Sequence, residues 1–394
     1  MNDGPDHKRS AQDEWRRFLV SGMEDLREKD LLRNTAFIQG IDFISNDYLS
    51  LNHSGKLFSF LTDQIASWQD TVGSTGSRLL QGHRDVFDAA EEDFGKFAGF
   101  ESSLLLQSGY SANTGVIPAL VSKNDIAVSD KNCHASMIDG IRLSGAKNIR
   151  FRHNDLSHLE EILKKTRESH TGRIWIFSET LFSMDGDMPD LPKLTELSEQ
   201  YDGLLYLDEA HAAGVFGPEG SGLIAEHNLQ KRIAVSVFPM GKAPGLAGAF
   251  VCGNAPLKEY LINTCRSFIF STAQPPLLAA LLRDIIIYLS SDEAEAERKK
   301  LLSNAFSLRN RLKENNIPSG TSVSQIVPVI CGEEKKAVDL ACFLQEAGFA
   351  ARAVRPPSVP RGSSRLRLAV KSLHTEKEIL QICDTAAHFF QNRK

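Results

Sequence analysis

Lys242 sits in the run Val235-Ser-Val-Phe-Pro-Met-Gly-Lys242-Ala-Pro-Gly-Leu-Ala-Gly248-Ala-Phe-Val251, seventeen residues with no other charge. An ammonium among apolar and glycine neighbours is expensive to desolvate, so its pKa is pushed down. A lysine that spends part of its time as a free amine can form a Schiff base or carry a proton. Upstream, the apolar run Leu204-Leu-Tyr-Leu207 ends in Asp208-Glu209-Ala210-His211. A strand that ends in an acid, then one more strand leading into a glycine-rich lysine loop, suits pyridoxal 5'-phosphate. The lysine holds the aldehyde, and the acid keeps the pyridine nitrogen protonated so that the ring can accept electrons.

Each piece also has an ordinary reading. A lone lysine in an apolar stretch usually reaches water from a loop or strand end. Asp-Glu-Ala-His alone fits the metal box of a helicase or a plain helix start. The helicase reading needs an upstream phosphate loop of the form G-x-x-x-x-G-K-[ST]. Gly95-Lys96 and Gly241-Lys242 are both followed by the wrong residue. Taken together, lysine and acid favour the cofactor.

Further candidates follow other apolar runs. Gly109-Tyr110-Ser111-Ala112-Asn113 comes after Leu104–Leu106. A strand, a glycine turn and a helix beginning near Ser111 would aim backbone N–H groups at a phosphate. The segment nearly matches G-x-S-x-G, but its last position is Asn113, so it is not a hydrolase elbow. His134 could stack on a planar ring or simply cap the next helix. In Glu179-Thr-Leu-Phe-Ser183-Met-Asp-Gly-Asp187, a Ser or Glu could touch a ring substituent, or the segment is a plain acidic loop. Arg365 and Arg367 share one strand face, either as a carboxylate clamp or as solvated arginines on an exposed edge strand.

The elements that must position these residues alternate. Short apolar runs at Ser103–Leu106, Ile126–Ser129, Ile149–Phe151, Ile174–Phe177, Leu204–Leu207, Ile233–Val237 and Gly248–Cys252 read as strands. Amphipathic patterns such as Asp85–Phe97, Leu156–Arg167 and Leu191–Gln200 read as helices. This alternation predicts an α/β domain with a mostly parallel sheet, with ligands at the carboxyl ends of the strands. Asp208 and Lys242 both fall just past strand ends. The last hundred residues change character: helices Pro275–Ser290, Asp292–Asn315 and Thr375–Gln391, with strands near Ile326–Ile330 and Arg365–Val370. The expected division is an N-terminal arm over 1–50 with a helix at Glu14–Lys29, a large cofactor-binding domain over 51–285, and a small C-terminal α+β domain over 286–394.

The 394 residues are 42% hydrophobic and 24% charged, with net charge −5. No run of one sign suggests a nucleic-acid or membrane surface. The polar start Met1–Glu14 lacks an apolar signal core, and no apolar run is long enough to span a bilayer. A cytoplasmic protein is expected. The six cysteines fit neither a zinc site nor a disulfide framework, so they read as reduced and mostly buried thiols, and no metal is expected.

These motifs, in this order, resemble the α-oxoamine synthases, pyridoxal-phosphate acyltransferases of fold type I, the aspartate-aminotransferase-like fold. The resemblance runs from about Ser45 to about His374. It rests on Ser45-Asn46-Asp47-Tyr48-Leu49, Gly73-Ser-Thr-Gly76-Ser-Arg78, Ser108-Gly-Tyr-Ser-Ala-Asn113 and His134-Ala-Ser136. It rests also on Phe182-Ser-Met-Asp-Gly-Asp187, Asp208-Glu-Ala-His211, Gly241-Lys242-Ala and Ser271-Thr272. Arg355-Pro-Pro-Ser-Val-Pro360 with Gly362 and Arg365-Leu-Arg-Leu is most similar to the branch that condenses L-alanine with a pimeloyl thioester, carried on coenzyme A or on a carrier protein.

The resemblance implies roles. Lys242 is the Schiff-base lysine and the base for the α proton. Asp208 meets the pyridine nitrogen, His134 stacks on the ring, and His211 and Ser183 contact the ring oxygen. The Gly109 and Tyr110 amides hold the phosphate, helped by Ser271 or Thr272 from a partner subunit, which implies a homodimer. Arg367 with Asn46 holds the amino-acid carboxylate, and Arg33 is a candidate for the far end of the acyl chain. The alternatives are a sister synthase that uses glycine or serine with another acyl thioester, and a non-catalytic homologue that acts by binding. One departure stands out. The family usually has Thr or Ser three residues before the lysine, and here Pro239 offers neither hydroxyl nor N–H. Pro244 is also unusual.

Overall fold

The computed structural model describes residues 10–29, 31–33 and 35–392. The polar start over residues 1–9 lies outside them. The strands are β1 (Ile41–Asp42), β2 (Ser102–Leu106), β3 (Ile126–Asp130), β4 (Lys147–Phe151), β5 (Ile174–Glu179), β6 (Gly203–Asp208), β7 (Val235–Pro239), β8 (Ala249–Gly253), β9 (Ile326–Gly332), β10 (Phe349–Ala350), β11 (Ala353–Val354) and β12 (Ser364–Ala369).

Seven strands form the large sheet in the order β2-β8-β7-β6-β5-β3-β4. Strands β3 to β7 pair in parallel, while β8 is antiparallel to both β7 and β2. The two reversals cancel, so β2 runs the same way as β7. The carboxyl ends of β2, β3, β5, β6 and β7 therefore share one edge, and the segments that follow them arrive there together. Burial explains the parallel core: all six residues of β5, Ile-Trp-Ile-Phe-Ser-Glu, are buried, as expected of a strand covered on both faces.

Helices fill both faces, and their ends follow local chemistry. Asp190 accepts from the Lys193 N–H at the start of helix Leu191–Gln200. Gly99, at φ 76°, closes helix Asp85–Ala98, a left-handed turn that glycine enters without a Cβ clash. Phe94 of that helix stacks on Phe250 of β8 with centroids 4.1 Å apart.

The second sheet, β11-β12-β9, is antiparallel and is backed by helices Asp292–Glu314, Glu334–Glu346 and Glu376–Asn392. Residues 41–51 reach across the sequence to lie beside it, and β1 and β10 form a two-stranded sheet of their own. β1 pairs in parallel with β10, Ile41 opposite Phe349. Lys371, just past β12, makes an ion pair with Asp42, and Phe43, Tyr48 and Leu51 are fully buried. Helix Ala11–Glu28, by contrast, buries no residue and exposes Trp15, Phe18 and Met23. Among the described residues, no helix is long and apolar enough to cross a membrane.

Candidate active site

Lys242 is carried by a loop closed on itself. Met240 N–H donates to the Gly248 carbonyl at 2.9 Å, and Gly245 N–H to the Lys242 carbonyl at 2.9 Å. Lys242 Nζ lies 2.9 Å from His211 Nε2. Burial lowers the Lys242 pKa to about 8, although Asp208 and Glu179 pull the other way. Burial, then the charges of Lys242 and Arg367, hold His211 well below its usual range, so its imidazole is neutral.

Tyr48 continues the chain. Its hydroxyl lies 2.7 Å from His211 Nδ1, donates to Asn46 Oδ1 at 3.0 Å, and accepts from Arg367 Nη2 at 3.0 Å. Tyr48 has one proton, which goes to Asn46. This pattern assigns the His211 proton to Nδ1 and leaves Nε2 to accept from the lysine. Asn46, Tyr48, His211, Lys242 and Arg367 thus form one connected array.

Asp208 ends β6 beside Glu179, its register partner at the end of β5. Its Oδ1 accepts from the Ala210 N–H at 2.9 Å and its Oδ2 from Asn113 Nδ2 at 2.9 Å. Tyr206 donates to Asn113 Oδ1 at 2.9 Å, and Asn113 Nδ2 also donates to Ser136 Oγ at 3.0 Å. Ser136 Oγ is 2.7 Å from His134 Nδ1. His134 caps helix Ala135–Ser144, its ring accepting from the Ser136 N–H. The capping reading thus holds, and the same ring reaches the Asn113–Asp208 network through Ser136. Burial, opposed by Asp208, lowers the His134 pKa. Glu209, one residue on, faces elsewhere: it accepts from the N–H groups of Leu223 and Ile224 at the start of the next helix.

The helix after β2 begins at Gly109, two residues before the expected Ser111. Ser108 and Ser111 form a capping box there, so the serine pair, not the glycine, sets the start. The Gly109 and Tyr110 N–H groups occupy the first helical turn, where a helix leaves its donors free. The Tyr110 side chain points away, donating to Asp139 at 2.5 Å. Pro239 packs on Gly109 so closely that a Cβ there would lie 2.6 Å from the Pro239 ring.

Arg365 and Arg367 have separate partners. β12 is the central strand of its sheet, flanked by β11 and β9, so the edge-strand reading is corrected. Arg365 is buried against Asp185. Arg367 donates through Nε to the Ser183 carbonyl and is half-buried beside Tyr48. Arg33 is exposed and reaches Ser358 at 3.4 Å, in the Pro-Pro segment and outside the array. Ser271 is half-buried and Thr272 exposed, and the Thr272 carbonyl accepts from Gln107 at 3.2 Å.

Sequence reasoning named no role for Tyr48 or Asn113, although both lie in the quoted motifs. Tyr48 is signalled by a phenol in a short segment of mixed polar and apolar residues, Asp47–Leu51, that is buried throughout. For Asn113 the signal is a polar side chain one turn past the capping serine, on the helix face that meets β6.

The residues fit pyridoxal phosphate. A buried amine with a lowered pKa is available for the aldehyde. Each Asp208 oxygen accepts one hydrogen bond from the protein and keeps a further acceptor site for a pyridinium N–H. A helix N-terminus stands ready for the phosphate. Glu179 Oε1, beside Asp208, is buried with no partner, a polar atom left free for a bound group.

Comparison with known proteins agrees. Residues 38–385 match the aminotransferase class I and II family. A Geobacillus kaustophilus protein, provisionally named 8-amino-7-oxononanoate synthase, is 39% identical over 368 residues, 92% of each chain. A solved 8-amino-7-oxononanoate synthase from Francisella tularensis is similar at TM-score 0.76 and 28% identity, over 90% of this chain and 98% of that one. A serine palmitoyltransferase variant from S. paucimobilis, solved with PLP and myriocin, is similar at TM-score 0.87 and 25% identity, over 98% and 99% of the two chains. The chain belongs to the pyridoxal-phosphate-dependent α-oxoamine synthases, enzymes of aminotransferase class I and II architecture that carry out Claisen-type condensations.

Proposed function

We propose that the protein condenses L-alanine with a pimeloyl thioester to give 8-amino-7-oxononanoate, a step of biotin synthesis. The connected array of Lys242, His211, Tyr48, Asn46 and Arg367 carries the reading. It sets a proton-accepting amine and a carboxylate-binding guanidinium on one hydrogen-bonded chain. The choice of alanine and pimeloyl thioester is supported by the 39% identity to the provisionally named synthase.

The bound cofactor supplies an electron sink for the carbanion at the amino acid's α carbon. Arg367 and Asn46 hold the amino-acid carboxylate. Lys242 Nζ takes the α proton, and His211 Nε2 accepts a hydrogen bond from the resulting ammonium. The α carbon attacks the thioester carbonyl and the thiolate leaves, to take its proton from solvent. The amino-acid carboxyl departs as carbon dioxide, and Lys242 returns the proton. Asp208, oriented by Asn113, would hold the ring nitrogen, while His134 would cover the ring and Ser183 and His211 would meet its oxygen. The Gly109 and Tyr110 amides would hold the phosphate, and Arg33 would meet the far end of the acyl chain.

Exposed Leu79, Leu80 and Phe270, near Ser271 and Thr272, support a homodimer in which those two residues complete the partner's phosphate site. The free thiols of all six cysteines fit a reducing compartment such as the cytoplasm.

A sister reading has its own support. The higher TM-score belongs to a serine palmitoyltransferase, which favours serine or glycine with a longer acyl thioester. Turnover of alanine, glycine and serine against pimeloyl and palmitoyl thioesters, each on coenzyme A and on a carrier protein, decides. Alanine with a pimeloyl thioester should win by k_cat/K_M; preference for any other pair overturns the assignment.

A further inference from the structure

Outside the array, His153 is gripped at both ring nitrogens. Nδ1 lies 2.9 Å from Asp130 Oδ1, and Nε2 lies 3.0 Å from Asp187 Oδ2. Asn154 reinforces the grip: its N–H donates to Asp130 at 2.9 Å and its Nδ2 to Asp187 at 2.9 Å. The ring stands edge-on to Phe182 with centroids 4.4 Å apart. Burial alone would lower the His153 pKa, but the two carboxylates raise it to about 10, so it is an imidazolium across the working pH range.

The segment held this way is the turn 182–187. Phe182 N–H donates to the Asp187 carbonyl at 2.9 Å and Gly186 N–H to the Phe182 carbonyl at 3.0 Å. Its other side belongs to the second sheet. Asp185 pairs with Arg365, the Ser183 carbonyl accepts from Arg367, and the Gly186 carbonyl accepts from Ser324 Oγ at 2.8 Å. The turn is thus a bracket: His153 fixes one side, and Arg367 hangs from the other.

His153, Asp185 and Asp187 also bring ligand-type atoms within 4.8 Å of one another. Both ring nitrogens are engaged and Asp185 is paired with Arg365, so the cluster is built as an ion-pair network and not as a cation site.

We propose that His153, gripped between Asp130 and Asp187, is a positioning residue: it fixes the 182–187 turn and thereby sets the aim of Arg367 at the amino-acid carboxylate. This rests on the carboxylate-clamp reading of Arg367. The network's charge favours the inference over simple packing. A buried carboxylate left without its cation costs several kcal/mol, so Asp187 would turn toward water and take the turn with it.

The test is a double-mutant cycle on the holoenzyme, reading amino-acid binding from the cofactor's visible band. The probe is whichever of alanine, glycine and serine shifts the band most, so the result does not depend on alanine. His153→Gln should raise the apparent K_d roughly tenfold, the scale expected when a binding group is misplaced by a fraction of an ångström. Arg367→Ala should raise it further, and the double variant should bind no more weakly than Arg367→Ala alone. Wild-type binding by His153→Gln, or multiplicative losses in the double variant, overturns the positioning role and leaves the clamp standing. Wild-type binding by Arg367→Ala overturns the clamp and the positioning role together. Should His153→Gln not fold, Asp187→Asn takes its place in the cycle with the same expectations, since it keeps the side chain's shape and removes its charge.

Discussion

Lys242 Nζ and His211 Nε2 lie 2.9 Å apart, the imidazole buried and the lysine half-buried. The imidazole is held neutral and the amine gives up its proton near pH 8. His211 can therefore receive a hydrogen bond from the lysine without competing for its proton.

The Lys242 pKa in the folded protein, about 8, lies below its usual 10.5. Between those values the unfolded chain binds the extra proton, so this group's contribution to stability rises with pH across that window. Below it, both states carry the proton and the full cost of the buried ammonium is present. Lys242→Met should make the cofactor-free protein more stable at pH 7, by on the order of a few kcal/mol, with the gain fading toward pH 10.5. Urea unfolding at pH 7 and pH 10 measures it; an equal gain at both would show that the amine is not desolvated. In the loaded wild type, borohydride should fix the cofactor to Lys242, and labelling at another lysine would contradict the assignment.

Asp208→Asn should bind cofactor yet lose most turnover. A neutral amide cannot hold a pyridinium charge, and removing one partner of a buried ion pair costs several kcal/mol, on the order of a hundredfold or more in rate. Asn113→Ala should cost less, since it removes only one hydrogen bond to the carboxylate. Steady-state rates of both variants test the order; a near-normal Asp208→Asn would remove Asp208 from the chemistry.

Tyr48→Phe deletes the hydroxyl that joins His211, Asn46 and Arg367. Leaving buried polar partners unsatisfied costs about 1–3 kcal/mol. The loss should appear chiefly in K_M for the amino acid, because Arg367 and Asn46 lose a common anchor. Unchanged K_M with lower k_cat would place Tyr48 on the proton path instead.

Pro239 lies against Gly109 at the helix start proposed for the phosphate. Pro239→Thr would add a hydroxyl that can make a charge-assisted hydrogen bond of roughly 1.5–3 kcal/mol at best. Cofactor should bind more tightly, with k_cat little changed. Gly109→Ala should weaken binding, since its methyl group would meet the proline ring. Titration of cofactor into the two variants and the parent settles this, and weaker binding by Pro239→Thr would mean that the loop follows another path.

Local patterns were the most legible part of the chain. Helix Leu191–Gln200 falls where its apolar spacing puts it, because an aspartate cap and a proline mark its start. Asp208 and Lys242 could be placed at strand ends from apolar run lengths alone. Pairings across the sequence were not legible. The spacing of Arg365 and Arg367 shows a shared face but not which arginine is already paired, since Asp185 lies 180 positions away. His153 reads as one more polar residue after a strand until Asp130 and Asp187 close on it. The partners of Tyr48 show only when His211 and Arg367 are found at its hydroxyl, beside the pairing of β1 with β10.

That last pairing has a consequence for how the enzyme is made. Asn46 and Tyr48 leave the ribosome early, but Arg367 and the strand that anchors residues 41–42 emerge more than 300 residues later. Such distant closure is slow, and it leaves apolar segments such as Phe43 to Leu51 uncovered during synthesis. The nascent chain can assemble its large sheet and Lys242 loop well before it has Arg367, the group proposed to hold the amino-acid carboxylate. Competence to condense substrates therefore comes last, and a product cut short before residue 349 would hold its lysine ready and have nothing to aim the substrate at it.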